Sequence, residues 1–287
     1  MIWFVGAGPG DPELITVKGR RLLRTADVVL FAGSLVPQAL LRWTRPSCEL
    51  HDSASLTLAQ QVAIMAAADT AGKRVVRLHS GDPSLYGAVG EQMRALAARH
   101  IRYSVVPGVS SFLAAAAALP AELTLPGVSQ TVIIARQPGR TAVPPNQEIA
   151  ALAAHQATMA IFLSAGRLAE TCAALRTHYP PETAAAVVQR VTWPEQVVLR
   201  GTLASIAQQA EEAAVDRTAM VLVGEALRND GDASMLYDPT FTHSYRRPPD
   251  STRELGDQKT GPPDLRTDGL RDDQLISPTK DTCRDDE

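Results

Sequence analysis

The chain has 287 residues, 28 of them basic and 31 acidic, which gives a net charge of −3. It lacks the basic excess typical of nucleic-acid binders, so we expect no nucleic-acid partner. The three cysteines form no CxxC pair, which argues against a disulfide framework and a cysteine zinc site. The start, MIWFVGAGPGD, does not have the pattern of a signal peptide. The longest run of small apolar residues, 109–119, is shorter than the roughly 20 residues that span a membrane. We therefore expect a cytoplasmic protein.

Apolar runs alternate with helical patterns along the first 230 residues. The predicted strands are residues 2–5, 28–31, 74–79, 103–106, 131–135, 159–164, 185–189, 196–199 and 219–223. The predicted helices are residues 16–24, 56–71, 88–99, 110–119, 147–154, 168–176 and 203–213. Such alternation predicts α/β layers.

A proline-rich stretch, residues 120–127, separates the two series of elements. We therefore predict an N-terminal α/β domain (1–119), a linker (120–127) and a C-terminal α/β domain (128–232). Each domain is expected to carry a mixed, mainly parallel sheet. The strand at 196–199 follows another strand with no helix between them, which favours a mixed second sheet.

The composition changes at residue 244. Residues 244–287 hold 8 basic and 11 acidic residues, with only scattered apolar ones, so this segment accounts for the whole net charge. A chain of this kind buries too little apolar surface to offset the entropy of ordering. We predict a disordered tail, with Cys283 free of any structural role.

The first glycine-rich loop, GAGPGD at residues 6–11, directly follows a predicted strand. A dinucleotide-binding loop has the pattern G-x-G-x-x-G/A and an acidic residue about 20 positions later. Here Asp11 takes the sixth position, Pro9 interrupts the loop, and the next strand ends without an acid. This loop therefore does not predict NAD binding.

Two further loops end strands of the same series. SGDPSLYG at residues 80–87 contains Gly81, which allows a ligand to approach the backbone closely, and Pro83, which rigidifies the loop. VPGVSS at residues 106–111 leads into a helix. Because ligands of α/β sheets bind at the carboxyl ends of strands, each loop is a candidate binding site, and the order and spacing of the three loops together are a stronger signal than any one of them.

The order of these motifs resembles the tetrapyrrole methylase superfamily, whose members use S-adenosylmethionine. The resemblance covers residues 1 to about 230. It rests on FVGAGPGDPELITVKG (4–19), ADVVLFAGSLV (26–36), SGDPSLYG (80–87) and VVPGVSSFLAAAAAL (105–119). HDSA (51–54), FAGSLV and ELTLPGVSQTVIIAR (122–136) followed by GRT (139–141) look like the branch that methylates precorrin-4 or cobalt-precorrin-4 at C11 in cobalamin biosynthesis.

The resemblance implies two α/β domains in a homodimer, with the methyl donor in the cleft between the domains. It leaves other ring positions as alternatives: C17 of precorrin-3B, or C2 and C7 of uroporphyrinogen III. A non-catalytic tetrapyrrole-binding protein is a further alternative. The positions that match cofactor-binding ones are Pro9, Ser80, Gly81, Asp82, Leu85, Ser110, Ser111, Ser164, Val191 and Ala219.

A carboxylated tetrapyrrole requires an apolar trough and cations that bind its carboxylates. The candidate substrate-binding residues are Asp11, Asp52, Ser53, Arg136 and Arg140. Lys18, Arg20 and Arg21 are further candidates, with a solvated helix face as the alternative. For Asp11 the alternative is a helix cap or a hydrogen bond within its loop. Methyl transfer from a sulfonium requires no metal, and the six histidines show no metal-binding spacing. His51 and His79 are expected to be structural.

Overall fold

The computed structural model describes residues 1–139, 141–238, 240–242 and 246. The chain divides into two compact units, Met1–Ala233 and a second one that begins at Ser234. In the second unit, Met235–Tyr237 form a 3₁₀ turn, and the Ser234 hydroxyl accepts a hydrogen bond from the Leu236 amide. The tail predicted at 244–287 lies outside the described residues except for Arg246, so its disorder stays a prediction.

The first sheet is built from the amino-terminal series of elements. Its strands are Ile2–Gly6 (β1), Val28–Phe31 (β2), Glu49–Asp52 (β3), Val75–His79 (β4) and Tyr103–Val106 (β5). The order across the sheet is β3-β2-β4-β1-β5, and every pairing is parallel. The helices of this series are Val17–Thr25 (α1), Gln38–Leu41 (α2), Leu58–Thr70 (α3), Val89–Ala97 (α4) and Ser111–Ala118 (α5).

The second sheet follows in the chain. Its strands are Val132–Arg136 (β6), Thr158–Phe162 (β7), Ala184–Gln189 (β8), Val197–Thr202 (β9) and Ala219–Val223 (β10), in the order β6-β7-β10-β8-β9. Its helices are Ile149–Ala153 (α6), Leu168–Leu175 (α7) and Ile206–Glu212 (α8). Only the β6–β7 pairing is parallel among the described strands of this sheet.

The α/β class and the two sheets are confirmed, but the strand directions need a correction. The first sheet is wholly parallel rather than mixed. The second sheet is mixed as predicted, but it is not mainly parallel. The reason is that β8 and β9 form a hairpin and β10 runs antiparallel to both of its neighbours. The sequence patterns also failed to indicate α2 and β3, since β3 is a largely exposed edge strand that mixes charged and apolar residues.

Local signals explain the helix starts of the first series. The Thr16 side chain accepts a hydrogen bond from the Gly19 amide and caps α1. Thr57 and Gln60 form a reciprocal capping box at the start of α3. Such caps satisfy amide groups that have no partner within the helix, so they set where each helix begins.

Helix α5 belongs to the core of the second sheet. Ala114, Ala115 and Leu119 are buried in one cluster with Met220 and Leu222 of β10. The chain therefore passes from the first sheet to the second before the proline-rich stretch at 120–127 rather than within it. The division into domains at 119 and 128 stays a prediction.

Candidate functional site

The three glycine-rich loops meet at the carboxyl edge of the first sheet. Gly8 and Gly81 form an antiparallel bridge, in which the Gly81 amide donates to the Gly8 carbonyl at 2.9 Å. A Cβ on Gly108 would lie 2.2 Å from the Gly81 carbonyl oxygen, and one on Gly6 would lie 2.5 Å from the Gly108 Cα. These glycines are therefore required because the three backbones touch each other.

The Asp82 carboxylate joins the second loop to the third. Its Oδ1 accepts a hydrogen bond from the Ser84 amide at 2.8 Å, and its Oδ2 accepts one from the Gly108 amide at 2.8 Å. Asp82 also lies in the wall of a cavity. Its structural role is thus to hold the two loops in register, in addition to any contact with a ligand.

A cavity of about 510 Å³ opens between these loops and the second sheet. Ligand pockets in proteins span roughly 300–1,000 Å³, so the cavity can hold a small organic molecule. Most of the predicted cofactor residues line this one cavity. They are Pro9, Ser80, Gly81, Asp82, Leu85, Ser110, Ser111, Val191 and Ala219.

Ser164 is the predicted cofactor residue that does not line the cavity. Its side chain is fully buried and donates to the Ile161 carbonyl at 3.3 Å. The neighbouring residues Leu163 and Ala165 do line the cavity. Ser164 thus lies behind the wall and shapes it from there.

Three serine hydroxyls in the wall remain available to a ligand. Ser80, Ser110 and Ser111 line the cavity, and within the described part of the chain their side chains make no hydrogen bond. Ser110 stands at the N-cap of α5 without a capping bond from its side chain. Because a hydroxyl both donates and accepts, this set suits polar ligand groups such as a ribose, an amine or a carboxylate.

A loop between β8 and β9 closes the cavity against the first glycine loop. The Trp193 indole Nε1 donates to the Pro9 carbonyl at 3.0 Å, and the Asp11 amide donates to the Thr192 hydroxyl at 2.9 Å. A Cβ on Gly10 would lie 2.2 Å from Trp193 Cδ1. Sequence reasoning missed Trp193, since nothing in its local pattern indicates a partner about 180 residues earlier.

Aromatic and apolar groups form a further part of the wall. The rings of Tyr86 and Phe162 lie 5.0 Å apart, so the two halves of the site touch here. Tyr86 belongs to the second loop motif, whereas sequence reasoning missed Phe162. Burial raises the pKa of the Tyr86 hydroxyl, and the nearby Arg136 charge opposes that rise.

The described candidates for substrate binding, Asp11, Asp52, Ser53 and Arg136, do not line the cavity. The Asp11 carboxylate accepts from the Glu13 amide at 2.8 Å, which is the loop hydrogen bond named as its alternative. The Arg136 guanidinium donates to the carbonyl oxygens of Thr141 and Ala142 at 3.1 and 2.7 Å. Arg140 lies outside the described residues.

Asp52 and Ser53 hold the loop after β2. Asp52 Oδ1 accepts from the Ala54 amide at 2.9 Å and from the Gly33 amide at 3.0 Å, and these backbone bonds lower the pKa of the Asp52 carboxyl. The Ser53 hydroxyl donates to the Phe31 carbonyl at 3.0 Å. Ala32 and Leu35 of this loop line the cavity, so Asp52 and Ser53 shape the cavity wall indirectly, by holding the loop.

The basic residues of α1 lie elsewhere. None of Lys18, Arg20 and Arg21 lines the cavity. The Arg20 guanidinium carbon lies 3.9 Å from the centre of the Trp43 ring, a cation–π arrangement. Lys18 is exposed, as the alternative of a solvated helix face expects.

Two buried basic side chains at the end of β4 also line the cavity. Arg77 and His79 are 5% and 6% exposed. Burial lowers the pKa of the Arg77 guanidinium to about 10, and burial together with the Arg77 charge lowers the pKa of His79 to about 3. At neutral pH Arg77 is therefore charged and His79 neutral. Sequence reasoning treated His79 as structural and did not select Arg77.

Metal clusters and membrane-spanning helices are both missing from the part of the chain that the structure describes. No group of three or more His, Cys, Asp and Glu there could hold a metal ion. No helix among these residues is long and apolar enough to cross a bilayer.

The fold and the cavity together define an α/β protein whose ligand site lies between two sheets, at the glycine-rich ends of parallel strands. The chain belongs to the tetrapyrrole (corrin/porphyrin) methylases, whose family model matches residues 1–207. This family is the one that the loop motifs predict.

Individual relatives extend the match over most of the chain. The cobalt-precorrin-4 C(11)-methyltransferase of Methanocaldococcus jannaschii is 46% identical over 245 residues, which are 85% of this chain and 95% of that protein. The precorrin-4 C(11)-methyltransferase of Pseudomonas aeruginosa is 48% identical over 246 residues, covering 85% and 98% of the two chains.

Solved structures share the same architecture. A cobalt precorrin-4 methyltransferase of cobalamin biosynthesis superposes with a TM-score of 0.77 at 42% identity, over 79% of this chain and 95% of that one. A uroporphyrin-III C-methyltransferase from Thermus thermophilus, complexed with S-adenosyl homocysteine, has a TM-score of 0.66 at 27% identity, over 81% and 95% of the chains.

Proposed function

We propose that this protein transfers a methyl group from S-adenosylmethionine to C11 of precorrin-4 or cobalt-precorrin-4, in the cytoplasmic biosynthesis of cobalamin. The observation that carries the proposal is the identity of 46–48% with C11-methyltransferases over nearly their whole length. The cavity also supports it, because it collects nine of the ten residues that the family resemblance assigns to the cofactor.

The residues of the cavity fit S-adenosylmethionine. Backbone groups of the Ser80–Asp82 segment, where Gly81 carries no side chain, would bind its amino-acid end. The free hydroxyls of Ser110 and Ser111 provide further polar contacts, and the apolar side chains of Leu85, Val191 and Ala219 offer a surface for its purine and ribose. When bound, S-adenosylmethionine supplies an activated methyl group on a sulfonium centre.

The protein's contribution to such a transfer is alignment. Methyl transfer is an in-line displacement, and holding two reactants in that geometry can lower the barrier by roughly 7–11 kcal/mol. The loops of this site are held rigidly, by the Gly8–Gly81 bridge, by Asp82 and by Trp193. We propose that this rigidity, together with exclusion of water by Tyr86 and Phe162, carries most of the catalysis. No catalytic acid or base is assigned.

The remaining predicted residues would act on the substrate. Arg136 lies near Tyr86, at the edge of the cavity, and would attract carboxylates of the tetrapyrrole there. Asp11 would face the substrate from the first loop. We propose that Asp52 and Ser53 act indirectly, through the loop that carries Ala32 and Leu35.

The test is a methylation assay with purified protein. Methyl-labelled S-adenosylmethionine is incubated with precorrin-4 and, separately, with cobalt-precorrin-4. We expect one added methyl by mass spectrometry and its position at C11 by NMR. Two added methyls on uroporphyrinogen III, or a methyl at C17 of precorrin-3B, would replace the proposal by the corresponding activity. Binding without turnover would indicate a carrier. The relative rates with the two precorrin-4 forms decide whether the substrate contains cobalt.

The assembly proposed for the active protein is a homodimer. Light scattering coupled to size-exclusion chromatography tests it directly. A mass equal to one chain would refute this part of the proposal and leave the enzymatic part untouched.

A further inference from the structure

Arg77 is a buried cation that faces the cavity. It lies on β4, is 5% exposed and lines the cavity wall. Its Nε donates to the Gln92 side chain at 3.2 Å, and its Nη1 donates to the carbonyl oxygens of Leu78 and Leu30 at 3.2 and 3.5 Å. Nη2 makes no hydrogen bond within the part of the chain that the structure describes.

The described residues provide no carboxylate for this charge. Asp82 also lines the cavity, but both of its oxygens accept hydrogen bonds from backbone amides. Asp216, another lining residue, lies 3.4 Å from the Arg217 guanidinium and is largely exposed. A buried charge without a counterion is costly, so a ligand group that supplied the opposite charge here would be favoured.

His79 extends the same polar patch. It lies two residues after Arg77 on β4, so both side chains project from the same face of the sheet. Its Nε2 is buried without a hydrogen-bond partner in the described chain, although the residue lines the cavity. A neutral imidazole with Nε2 protonated is a suitable second donor for a carboxylate.

The patch adjoins the second loop, since Ser80 directly follows His79, but it lies on the opposite side of β4 from the other two loops. Arg77 pairs in register with Leu30 of β2 and bonds its carbonyl, so it leans toward the β2 side of β4. Pro9 follows β1 and Ser110 follows β5, and both of those strands lie on the other side of β4. The loop after β2, which carries Ala32 and Leu35, provides the apolar surface next to the patch.

We infer that Arg77 and His79 form a subsite that binds an acetate or propionate side chain of the tetrapyrrole inside the cavity. The inference rests on the proposed function and deepens it, since it moves carboxylate recognition from the rim arginines to the interior. The methionine carboxylate of the cofactor has the same chemistry. The strand order argues for the substrate, and the experiment separates the two.

Three variants are compared with the wild type: Arg77→Gln, Arg77→Lys and the control Arg99→Gln. Arg99 is exposed, lies beyond α4 and donates to the Ala95 carbonyl at 3.2 Å, so the control removes the same charge outside the cavity. Binding of S-adenosyl homocysteine is measured by calorimetry, and kcat/KM for the tetrapyrrole by the methylation assay. Thermal melting confirms that each variant is folded.

We expect Arg77→Gln to lower kcat/KM for the tetrapyrrole by about tenfold or more, because a charge-assisted hydrogen bond is lost. Arg77→Lys should recover part of this loss, since it keeps the charge without the bidentate fork. S-adenosyl homocysteine should bind both variants within about twofold of the wild type. His79→Gln, which keeps a donor, should reduce kcat/KM less than Arg77→Gln does.

Each other outcome overturns the inference. If Arg77→Gln weakens S-adenosyl homocysteine instead, the subsite holds the cofactor carboxylate. If Arg77→Gln fails to fold, Arg77→Lys is measured in its place. A kcat/KM of Arg77→Lys equal to that of Arg99→Gln then contradicts the subsite. If the wild type methylates no tetrapyrrole, the proposed function itself fails. If the wild type is active and Arg77→Gln matches Arg99→Gln, only the subsite fails.

Discussion

The indole of Trp193 donates its hydrogen bond to the carbonyl oxygen of Pro9, at 3.0 Å. Pro9 belongs to the first glycine-rich loop, whereas Trp193 lies between two antiparallel strands of the second sheet. Both residues line the cavity, so this bond joins its two walls, although the two residues are 184 positions apart in the chain. The width of the cleft at this point depends on it.

The first prediction concerns this bond. Trp193→Phe keeps most of the ring but removes the donor, so the first loop loses one anchor. A typical hydrogen bond contributes about 0.5–1.5 kcal/mol, and we expect S-adenosyl homocysteine to bind roughly two- to tenfold more weakly. Isothermal titration calorimetry measures the change.

Trp43 offers the matched control. Its indole Nε1 is buried without a hydrogen-bond partner in the described chain, and it does not line the cavity. Trp43→Phe therefore makes the same change of ring and removes no hydrogen bond within the described chain. Equal losses of affinity in the two variants would contradict the role assigned to the Trp193–Pro9 bond.

The second prediction compares the aspartates of the first two loops. Asp82→Ala removes the acceptor that connects the Ser84 and Gly108 amides, whereas Asp11→Ala removes only a local bond to Glu13. We expect Asp82→Ala to bind S-adenosyl homocysteine at least about tenfold more weakly, and Asp11→Ala to stay within about twofold of the wild type. Calorimetric titration of the three proteins measures both. An equal weakening by Asp11→Ala would mean that the Asp11 carboxylate also contributes to cofactor binding, against the local role described here.

The third prediction concerns backbone packing under the site. Gly108→Ala would place a Cβ 2.2 Å from the Gly81 carbonyl oxygen. The Gly8–Gly81 bridge holds one backbone in place, and the hydrogen bond from the Gly108 amide to Asp82 holds the other. We expect a loss of about 3 kcal/mol in the free energy of unfolding, by urea denaturation.

Gly139→Ala is the control for Gly108→Ala. Apart from its chain neighbours, no atom of the described residues would lie within 4 Å of a Cβ on Gly139, so the free energy of unfolding should change by less than about 0.5 kcal/mol. A Gly108→Ala protein as stable as Gly139→Ala would show that the loops are not packed as described.

The fourth prediction is a pH dependence of stability. Burial lowers the pKa of His79 from its ordinary 6.5 to about 3. Between these pH values the unfolded chain binds a proton at this site and the folded chain does not, so the contribution of His79 to stability is complete above pH 6.5 and declines as the pH falls toward 3. At pH 5 the loss amounts to about 2 kcal/mol.

Urea denaturation at pH 7 and pH 5 measures this contribution. His79→Gln has no group that titrates here, so its stability should fall less between the two pH values than that of the wild type. His155→Gln, a substitution of an exposed histidine, serves as the control and should keep the slope of the wild type. A slope that is unchanged in His79→Gln would mean that His79 is protonated in the folded protein.

The glycine-rich loops could be located without coordinates, because each is a local pattern at the end of an apolar strand. Their meeting follows from the strand order, because the strands that precede the three loops, β1, β4 and β5, are neighbours in one parallel sheet. The residues chosen within them, from Pro9 to Ser111, accordingly line one cavity. The α/β class follows from the same local periodicities.

Strand direction and the side to which a side chain points could not be predicted from local patterns, because they depend on contacts between distant segments. Helix α5 follows the first sheet in the chain but packs on β10 of the second, and three pairings of that sheet are antiparallel. Ser164 stands at a strand end like the other candidates, yet the packing of the second sheet places it behind the cavity wall.

Arg77 shows the difference most clearly. In the sequence it is one basic residue within an apolar strand, and its charge predicts a place at the surface. The strand order instead brings its guanidinium to the Leu30 carbonyl of β2 and close to His79, where it is buried and lines the cavity. Local patterns are set by neighbouring residues and can be read along the chain. The partners of a buried charge are set by which strands lie side by side, and only the folded protein defines that.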